Sequence, residues 1–364
     1  MTVREITSLI EDAAPLALQE NYDNAGLLVG NHEMEVSGVL LSIDITEAVI
    51  DEAVQHDCNL IISHHPLIFR GLKNLTGQDY IQRCIIKAIK NDISIYAAHT
   101  NIDNVLNGVN GKIADKIHLQ KRSVLIPKTG MLLKLATFVP TGYADIVRNA
   151  LFNAGAGQIG EYDSCSFNTN GTGTFRRSDN ANPFAGQPNE FHTEFETRIE
   201  VILPVFLKTR VVNALIQSHP YEEPAFDIIP LLNTWNKVGS GIVGELKHET
   251  DEMDLLMELK NAFALETLRH SPLHGKKIKK VAICGGAGSE FIPDAISKGA
   301  DVFISGDIKY HDFFNGENKI LIVDIGHYES EQYTKDVFYE IITKKIPNFA
   351  VRISDVNTNP IKYL

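Results

Sequence analysis

The chain has few of the residues that would mark a secreted, membrane-spanning or zinc-ribbon protein. Its 364 residues include only four cysteines, and the closest two, Cys58 and Cys84, lie 26 positions apart. This spacing excludes a C-x-x-C zinc ribbon and a dense disulfide framework, so we expect all four cysteines to be reduced core residues. The longest apolar run, residues 201–207, is seven residues long, far short of the ~20 that span a bilayer.

Positive charge is also scarce. Lysine and arginine number 34 against 46 aspartates and glutamates, which gives a net charge of −12. A chain this acidic does not attract phosphate backbones or anionic lipid surfaces, so we expect neither nucleic acid nor a membrane as a partner. Glu5, Glu11 and Asp12 interrupt the N-terminus too early for the apolar region of a signal peptide. We therefore expect a cytoplasmic protein.

The length and the hydrophobic content, 44% of residues, are typical of a globular protein with two or three domains. In both terminal parts, short apolar segments alternate with helical patterns, which predicts an α/β fold with a parallel sheet covered on both faces. The predicted strands are 38–44, 60–63, 93–98, 280–284, 301–305 and 320–324, and the predicted helices are 47–56, 80–90, 109–117, 289–298 and 328–344.

The middle of the chain has a different pattern. It predicts strands at 132–139, 194–203 and 225–232, helices at 144–153 and 208–217, a polar strand pair within 162–176 and a loop at 178–189. This order is that of a split β-α-β, ferredoxin-like α+β domain. We therefore predict a discontinuous α/β domain, residues 1–125 and 240–364, interrupted by an inserted α+β domain, residues 126–239.

Histidines and carboxylates follow the predicted strands of the α/β domain. His64 and His65 come directly after strand 60–63, and His99 and Asp103 come after strand 93–98. Ligands of open α/β sheets bind outside the carboxyl ends of the strands. These four positions are therefore candidates for a binding site.

His327 and Glu331 follow strand 320–324 and lie four residues apart, so they share one face of a helix. Three strand ends are thus expected to bring His64, His65, Asp103, His327 and Glu331 to one edge of one sheet. Imidazole with carboxylate suits zinc, iron, manganese or nickel, and five ligands are enough for two ions. The alternative is that these are surface or turn residues.

Two further segments could contact a substrate. Residues 305–312 place Lys309, Tyr310 and His311 just beyond a predicted strand. Lys309 and Tyr310 are candidate substrate-binding residues, and His99 and His311 are candidate proton carriers, although an ordinary loop is the alternative. Residues 285–288 resemble a phosphate-cradling glycine turn, but a tight turn between strand and helix is the favoured interpretation.

Taken together, several segments resemble the NIF-three-like proteins, a family also known as GTP cyclohydrolase I type 2 homologues. The matching segments run nearly the whole length of the chain: Tyr22–Leu27, Ile62–Leu67, Ala98–Asp103, Ser305–His311 and Asp324–Glu331.

The resemblance implies a dinuclear metal site held by His64, His65, Asp103, His327 and Glu331, and a toroidal homohexamer. It also implies that the insert is similar to the PII/CutA fold, with Gly171–Phe175, Asn182–Phe184 and His219–Glu222 as recognisable pieces.

We therefore expect a protein that binds two divalent metal ions of zinc, iron, manganese or nickel type. The first functional hypothesis is a metal-dependent hydrolase of cyclohydrolase or phosphoesterase type, acting on a nucleotide or another phosphoester. The alternative is a non-enzymatic metal-binding or regulatory scaffold protein.

Overall fold

The computed structural model describes residues 1–176 and 190–364, which form two compact units. Unit 1 comprises residues 1–127 and 236–364, and unit 2 comprises residues 128–235. The predicted loop at 178–189 and the segment Asn182–Phe184 lie outside the described residues. Of the four cysteines, Cys58, Cys84 and Cys284 are buried and Cys165 is half-buried, all as free thiols.

The helices, in chain order, are α1 (Val3–Ala13), α2 (Glu47–Gln55), α3 (Tyr80–Lys90), α4 (Thr100–Asp103), α5 (Val109–Lys116), α6 (Ala144–Asn153), α7 (Lys208–Ser218), α8 (Glu252–Ala262), α9 (Ile292–Ser297), α10 (His327–Glu331) and α11 (Thr334–Lys345). The strands are β1 (Gly26–Val29), β2 (Val39–Ser42), β3 (Leu60–Ser63), β4 (Ser94–Ala97), β5 (Gln120–Lys128), β6 (Leu132–Pro140), β7 (Phe167–Arg176), β8 (Phe191–Pro204), β9 (Phe226–Pro230), β10 (Trp235–Asp251), β11 (Arg269–His270), β12 (Lys277–Ala287), β13 (Val302–Gly306), β14 (Leu321–Asp324) and β15 (Val351–Ile353).

Unit 1, every residue of which the structure describes, contains two sheets. The first has the order β1-β4-β3-β2-β15, in which β1 alone runs antiparallel to its neighbour. The second has the order β11-β14-β13-β12-β10-β5, with a parallel centre of β12, β13 and β14. Strands β2, β3 and β14 are buried along their whole length because side chains cover both faces, which is why they read as short apolar runs.

The two sheets share one apolar core. Leu41 and Ile62 of the first sheet and Ile283 and Val302 of the second sheet belong to the same buried cluster. The expectation that three strand ends meet at one edge of one sheet is therefore wrong in one respect, because β3 and β4 lie in the first sheet and β14 lies in the second. Alternation of strands and helices gives strand direction, but it carries no information on which strands are hydrogen-bonded neighbours.

The predicted helix at 328–344 is also two helices, α10 and α11. The interruption falls at Gln332 and Tyr333, whose side chains donate hydrogen bonds to the carbonyls of Phe263 and Ala262, at 3.1 and 3.2 Å respectively. These contacts attach the two residues between α10 and α11 to the end of α8.

In unit 2, the described residues form a four-stranded sheet of order β7-β8-β6-β9 in which every neighbouring pair is antiparallel. Helix α6 follows β6 and helix α7 follows β8, as in a split β-α-β arrangement. Both helices pack on the same face of the sheet, through residues such as Leu135, Val147 and Leu215. The predicted polar strand pair within 162–176 is instead the single strand β7, which pairs with β8.

Among the described residues, no helix has both the length and the apolar character needed to cross a membrane.

The shared core of unit 1 predicts a large effect at Phe263, which is fully buried at the end of α8. We expect Phe263→Ala to lower the free energy of unfolding by about 3–5 kcal/mol, through lost burial and the cavity left behind. Urea unfolding followed by circular dichroism measures this. Met257→Ala, in the same helix but half exposed, is the control and should change stability by less than ~0.5 kcal/mol. Equal midpoints for the two variants would contradict this assignment of the core.

Candidate metal centre

The first four candidate residues lie where two parallel strands end side by side. β3 and β4 are paired in register, with Ser63 opposite Ala97. His64 and His65 therefore emerge beside His99. The chain then enters the short helix α4, which places Asp103 one turn further on. Adjacent carboxyl ends of parallel strands thus account for this half of the cluster.

The other half comes from the second sheet. β14 ends at Asp324, and Gly326 then takes a φ of +88°, a backbone conformation that favours glycine. Helix α10 follows directly, so that His327 and Glu331 lie one turn apart on the same face. Glu331 is almost completely buried.

The carboxylate of Glu331 lies at the centre of the cluster. Its Oε2 is 3.0 Å from Nε2 of His65 and 3.1 Å from Nε2 of His327. Its Oε1 faces the other side, 3.5 Å from Nε2 of His64, which in turn lies 3.7 Å from Oδ1 of Asp103. The structure therefore brings together all five residues expected as metal ligands. Ligand atoms of His64, Asp103 and Glu331, and of His65, His327 and Glu331, lie within 4.8 Å of one another as two groups.

The residues present fit divalent cations. His64 Nε2 and Asp103 Oδ1 are buried and have no hydrogen-bond partner, which is costly unless another group satisfies them. Burial and the neighbouring charge of Glu331 raise the pKa of Asp103 well above its ordinary value. A cation between these atoms satisfies both of them and offsets the repulsion, and imidazole with carboxylate is a suitable donor set.

Each histidine near the cluster is held through its other ring nitrogen. In every case Nδ1 donates a hydrogen bond to an oxygen, which leaves Nε2 directed at the cluster. The pairs are His64 with the Ala98 carbonyl (3.0 Å), His65 with Asp44 (2.7 Å), His99 with Asp23 (2.7 Å) and His327 with Asp307 (2.8 Å).

No role is predicted from the sequence for Asp23, Asp44 or Asp307, although their positions next to the ends of strands could have indicated one. Asp44 lies just past β2, the neighbour of β3, and Asp307 lies just past β13, the neighbour of β14. Asp23 lies just before β1, which runs antiparallel to β4, so the start of β1 meets the end of β4. Each orienting aspartate therefore comes from the strand beside the one that supplies the histidine.

Two of these aspartates are themselves fixed by hydroxyl groups. Thr358, from the segment after β15, donates a hydrogen bond through Oγ1 to the second carboxylate oxygen of Asp44 at 2.6 Å. Thr100 donates to Asp23 from both its backbone N–H and its hydroxyl. His65 and His99 are thus each oriented by an aspartate that is itself held by a threonine.

The electrostatics follow from these contacts. Burial lowers the pKa of His65, but hydrogen bonds to Asp44 and Glu331 outweigh it and raise the pKa to about 10. His327 behaves likewise, with a pKa of about 9, because Glu331 and Asp307 outweigh burial. The pKa of His64 is lowered, chiefly by burial. The protonated imidazoles of His65 and His327 compensate the charge of Glu331, so a cation held by the same nitrogens would displace protons.

The structure does not bring the remaining candidates into the cluster. Lys309 precedes a 3₁₀-helix at Tyr310–Gly316, and Tyr310 is exposed. The ring of His311 lies against Tyr310, with centroids 5.1 Å apart, and among the described residues His311 belongs to none of the groups of possible metal ligands. His99, in contrast, lies within 4.8 Å of His64 and His65 by its ligand atom.

The glycine turn at 285–288 serves packing. The N–H of Gly285 donates to Asn110 Oδ1 and that of Gly286 donates to Ser330 Oγ, so neither is available for an anion. A Cβ on Gly286 would lie 2.2 Å from Glu331 Oε1. Glycine is needed here because the carboxylate of Glu331 occupies the space of a side chain.

In unit 2, the structure supports a structural role for His219. It is buried, its Nε2 donates to the Phe138 carbonyl at 3.0 Å, and its Nδ1 accepts from the backbone N–H of Tyr221 at 3.0 Å.

Comparison with known proteins finds similar proteins that match the chain over its whole length. A protein of Bacillus subtilis named "GTP cyclohydrolase 1 type 2 homolog" is 38% identical over 371 residues, covering 99% of this chain and 98% of its own. The crystal structure of a Bacillus cereus protein related to NIF3 matches with a TM-score of 0.88 at 37% identity, over 100% of this chain and 99% of that one. A Staphylococcus aureus crystal structure matches with a TM-score of 0.79 at 30% identity, over 100% and 99%.

The family model described as Duf34/NIF3 (NGG1p interacting factor 3) matches residues 1–360. The chain therefore belongs to the Duf34/NIF3 family.

Proposed function

We propose that unit 1 binds two divalent metal ions and uses them to hydrolyse a nucleotide or another phosphoester. One observation carries the proposal. The buried carboxylate of Glu331 has its two oxygens turned toward two different sets of donor atoms, on one side His64 with Asp103 and on the other His65 with His327. A shared carboxylate between two donor sets is a common feature of two-metal hydrolytic sites.

When bound, a divalent cation acts as a Lewis acid: it lowers the pKa of water, so that a stronger nucleophile is available at neutral pH, and it neutralises charge on a phosphoryl group. The residues of the chain supply position and proton handling. His99 lies beside the cluster, with its ring 5.3 Å from that of His64 and 5.5 Å from that of His65. Because Asp23 holds Nδ1 of His99, the Nε2 atom of His99 is placed to accept or return a proton.

The names of the curated relatives include cyclohydrolase chemistry on GTP, which falls within the same substrate class. The alternative is a non-enzymatic metal-binding or regulatory scaffold that uses the same ligands.

We also propose that residues 1–125 and 240–364 form the metal domain and that residues 126–239 form a PII/CutA-like insert, for which the split β-α-β order is the support. Assembly as a homohexamer and a cytoplasmic location are further proposals, which rest on the resemblance and on composition.

The shared position of Glu331 predicts an unequal loss of metal between two variants. We expect the purified protein to contain about two divalent ions per chain. Asp103→Asn removes a donor from one set only and should leave about one ion, whereas Glu331→Gln weakens both sets and should leave less than one. Elemental analysis of the folded proteins measures this, with His311→Ala as the unaffected control. Equal losses in both variants would refute the shared carboxylate.

The orienting aspartates predict an effect at a distance from the metal. We expect Asp44→Asn to weaken metal affinity about 10–100-fold, because His65 loses the acceptor that fixes its ring. Competition with a chelator of known affinity measures it. The exposed Asp12 provides the control, since Asp12→Asn should leave the affinity unchanged. Unchanged affinity in Asp44→Asn would show that packing alone orients His65.

The hydrolase hypothesis predicts turnover that depends on metal. We expect the metal-loaded protein to release phosphate from glycerol 2-phosphate or GTP, and the chelated protein to release none. His99→Ala should lower kcat about 10²–10⁴-fold while metal content stays constant, because the proton carrier is lost and the ligands remain. Full metal content without turnover on any phosphoester or nucleotide would favour the scaffold alternative.

A further inference from the structure

Two exposed aromatic side chains lie beside the cluster of candidate metal ligands. Tyr22 is 67% exposed and Phe69 is 43% exposed, and their ring centroids lie 6.4 Å apart. The Phe69 ring lies 6.3 Å from the ring of His99, which is 5.5 Å from that of His65. The four rings therefore form a continuous row that leads from solvent to the donor atoms around Glu331.

The row is fixed by hydrogen bonds at its outer end. Tyr22 directly precedes Asp23, which holds His99. The next residue, Asn24, donates through Nδ2 to the carbonyl of Ile68 at 2.6 Å, and this bond ties the two aromatic segments to each other. This bond holds the backbone that precedes Phe69 next to the segment that carries Tyr22. Large exposed rings that are held in place next to a reactive site are typical of ligand recognition.

The loop that carries Phe69 adds positive charge. Arg70 and Lys73 follow it in a stretch, residues 69–76, that is exposed throughout. The far end of the loop is anchored, because Gln82 Oε1 accepts hydrogen bonds from the backbone N–H groups of Thr76 and Gly77, at 2.8 and 3.0 Å. In a chain of net charge −12, two cations one and four positions after Phe69 favour a ligand that carries an anionic group on the side of this loop.

We propose that Tyr22 and Phe69 form a stacking subsite for a planar heteroaromatic ring, such as a purine, whose phosphoryl or ring-carbon centre then reaches the metal cluster. This rests on the proposed function of unit 1 and narrows its substrate class from phosphoesters in general to those with a base or a base-like ring. Stacking on aromatic side chains tolerates different bases, since every base offers a π face. Arg70 and Lys73 supply the attraction for the anionic part of the ligand.

Binding of the ring is measured without turnover. Guanosine, which has the ring and no phosphate, and ribose 5-phosphate, which has the phosphate and no ring, are titrated into the full-length chelated protein by calorimetry. Saturation-transfer NMR then identifies which protons of guanosine contact the protein. We expect guanosine to bind through its base proton and Phe69→Ala to weaken binding about 5- to 100-fold. Tyr22→Ala should weaken it as well, while Tyr22→Phe, which keeps the ring, should bind within about twofold of the unsubstituted protein.

Tyr162→Ala removes an exposed tyrosine from unit 2 and is the matched control, with unchanged binding. The proposal is overturned if guanosine does not bind, if Phe69→Ala binds guanosine normally, or if Phe69→Ala changes the oligomeric mass in light scattering, since the rings would then lie between copies of the chain. Turnover of GTP and of glycerol 2-phosphate by the metal-loaded protein separately tests the proposed function. Guanosine binding without turnover of either compound would therefore retain the subsite and reject the hydrolase.

Discussion

The buried carboxylate of Glu331 is the constraint on which the arrangement of unit 1 depends. A buried charge without partners is unfavourable, and this one is satisfied by imidazoles from two different sheets, His64 and His65 from the first and His327 from its own. The two sheets must therefore meet where β3, β4 and β14 end. The backbone at Gly286 makes room for the carboxylate, since a side chain there would occupy the position of its Oε1 atom. Packing and electrostatics thus specify the same geometry.

The aspartates extend this constraint outward. Asp44 and Asp307 come from strands adjacent to those that carry the histidines they orient, so pairing within each sheet determines the direction of the imidazole rings. Thr358 connects the segment after β15 to the same network through Asp44. Elements that supply no ligand are consequently part of the site, and a relative that lacks one of these aspartates would need another acceptor at the same place.

The sequence predicts the local elements of this protein better than their assembly. β3 and α3 have the predicted bounds, and His64, His65, Asp103, His327 and Glu331 are brought together as expected, although from the strand ends of two sheets rather than one. The division of unit 1 into two sheets could not be predicted, since strand order depends on long-range pairing. Strands β5 and β10 are not predicted because much of each is polar: residues 120–123 at the start of β5 and residues 247–251 at the end of β10 contain no apolar side chain. The interruption between α10 and α11 depends on tertiary hydrogen bonds of Gln332 and Tyr333 to another segment.

The separation of the ligands along the chain has a consequence for biosynthesis. His65 and His327 lie 262 positions apart, and all of unit 2 lies between them. A ribosome releases His64 and His65 long before it has made Glu331, so the nascent chain presents two adjacent imidazoles without the carboxylate that they contact in the folded protein. A metal ion held as proposed would close a very long loop, the situation in which a cross-link reduces the entropy of the unfolded chain most. Metal supply during synthesis would then influence how much of the newly made chain reaches the folded state.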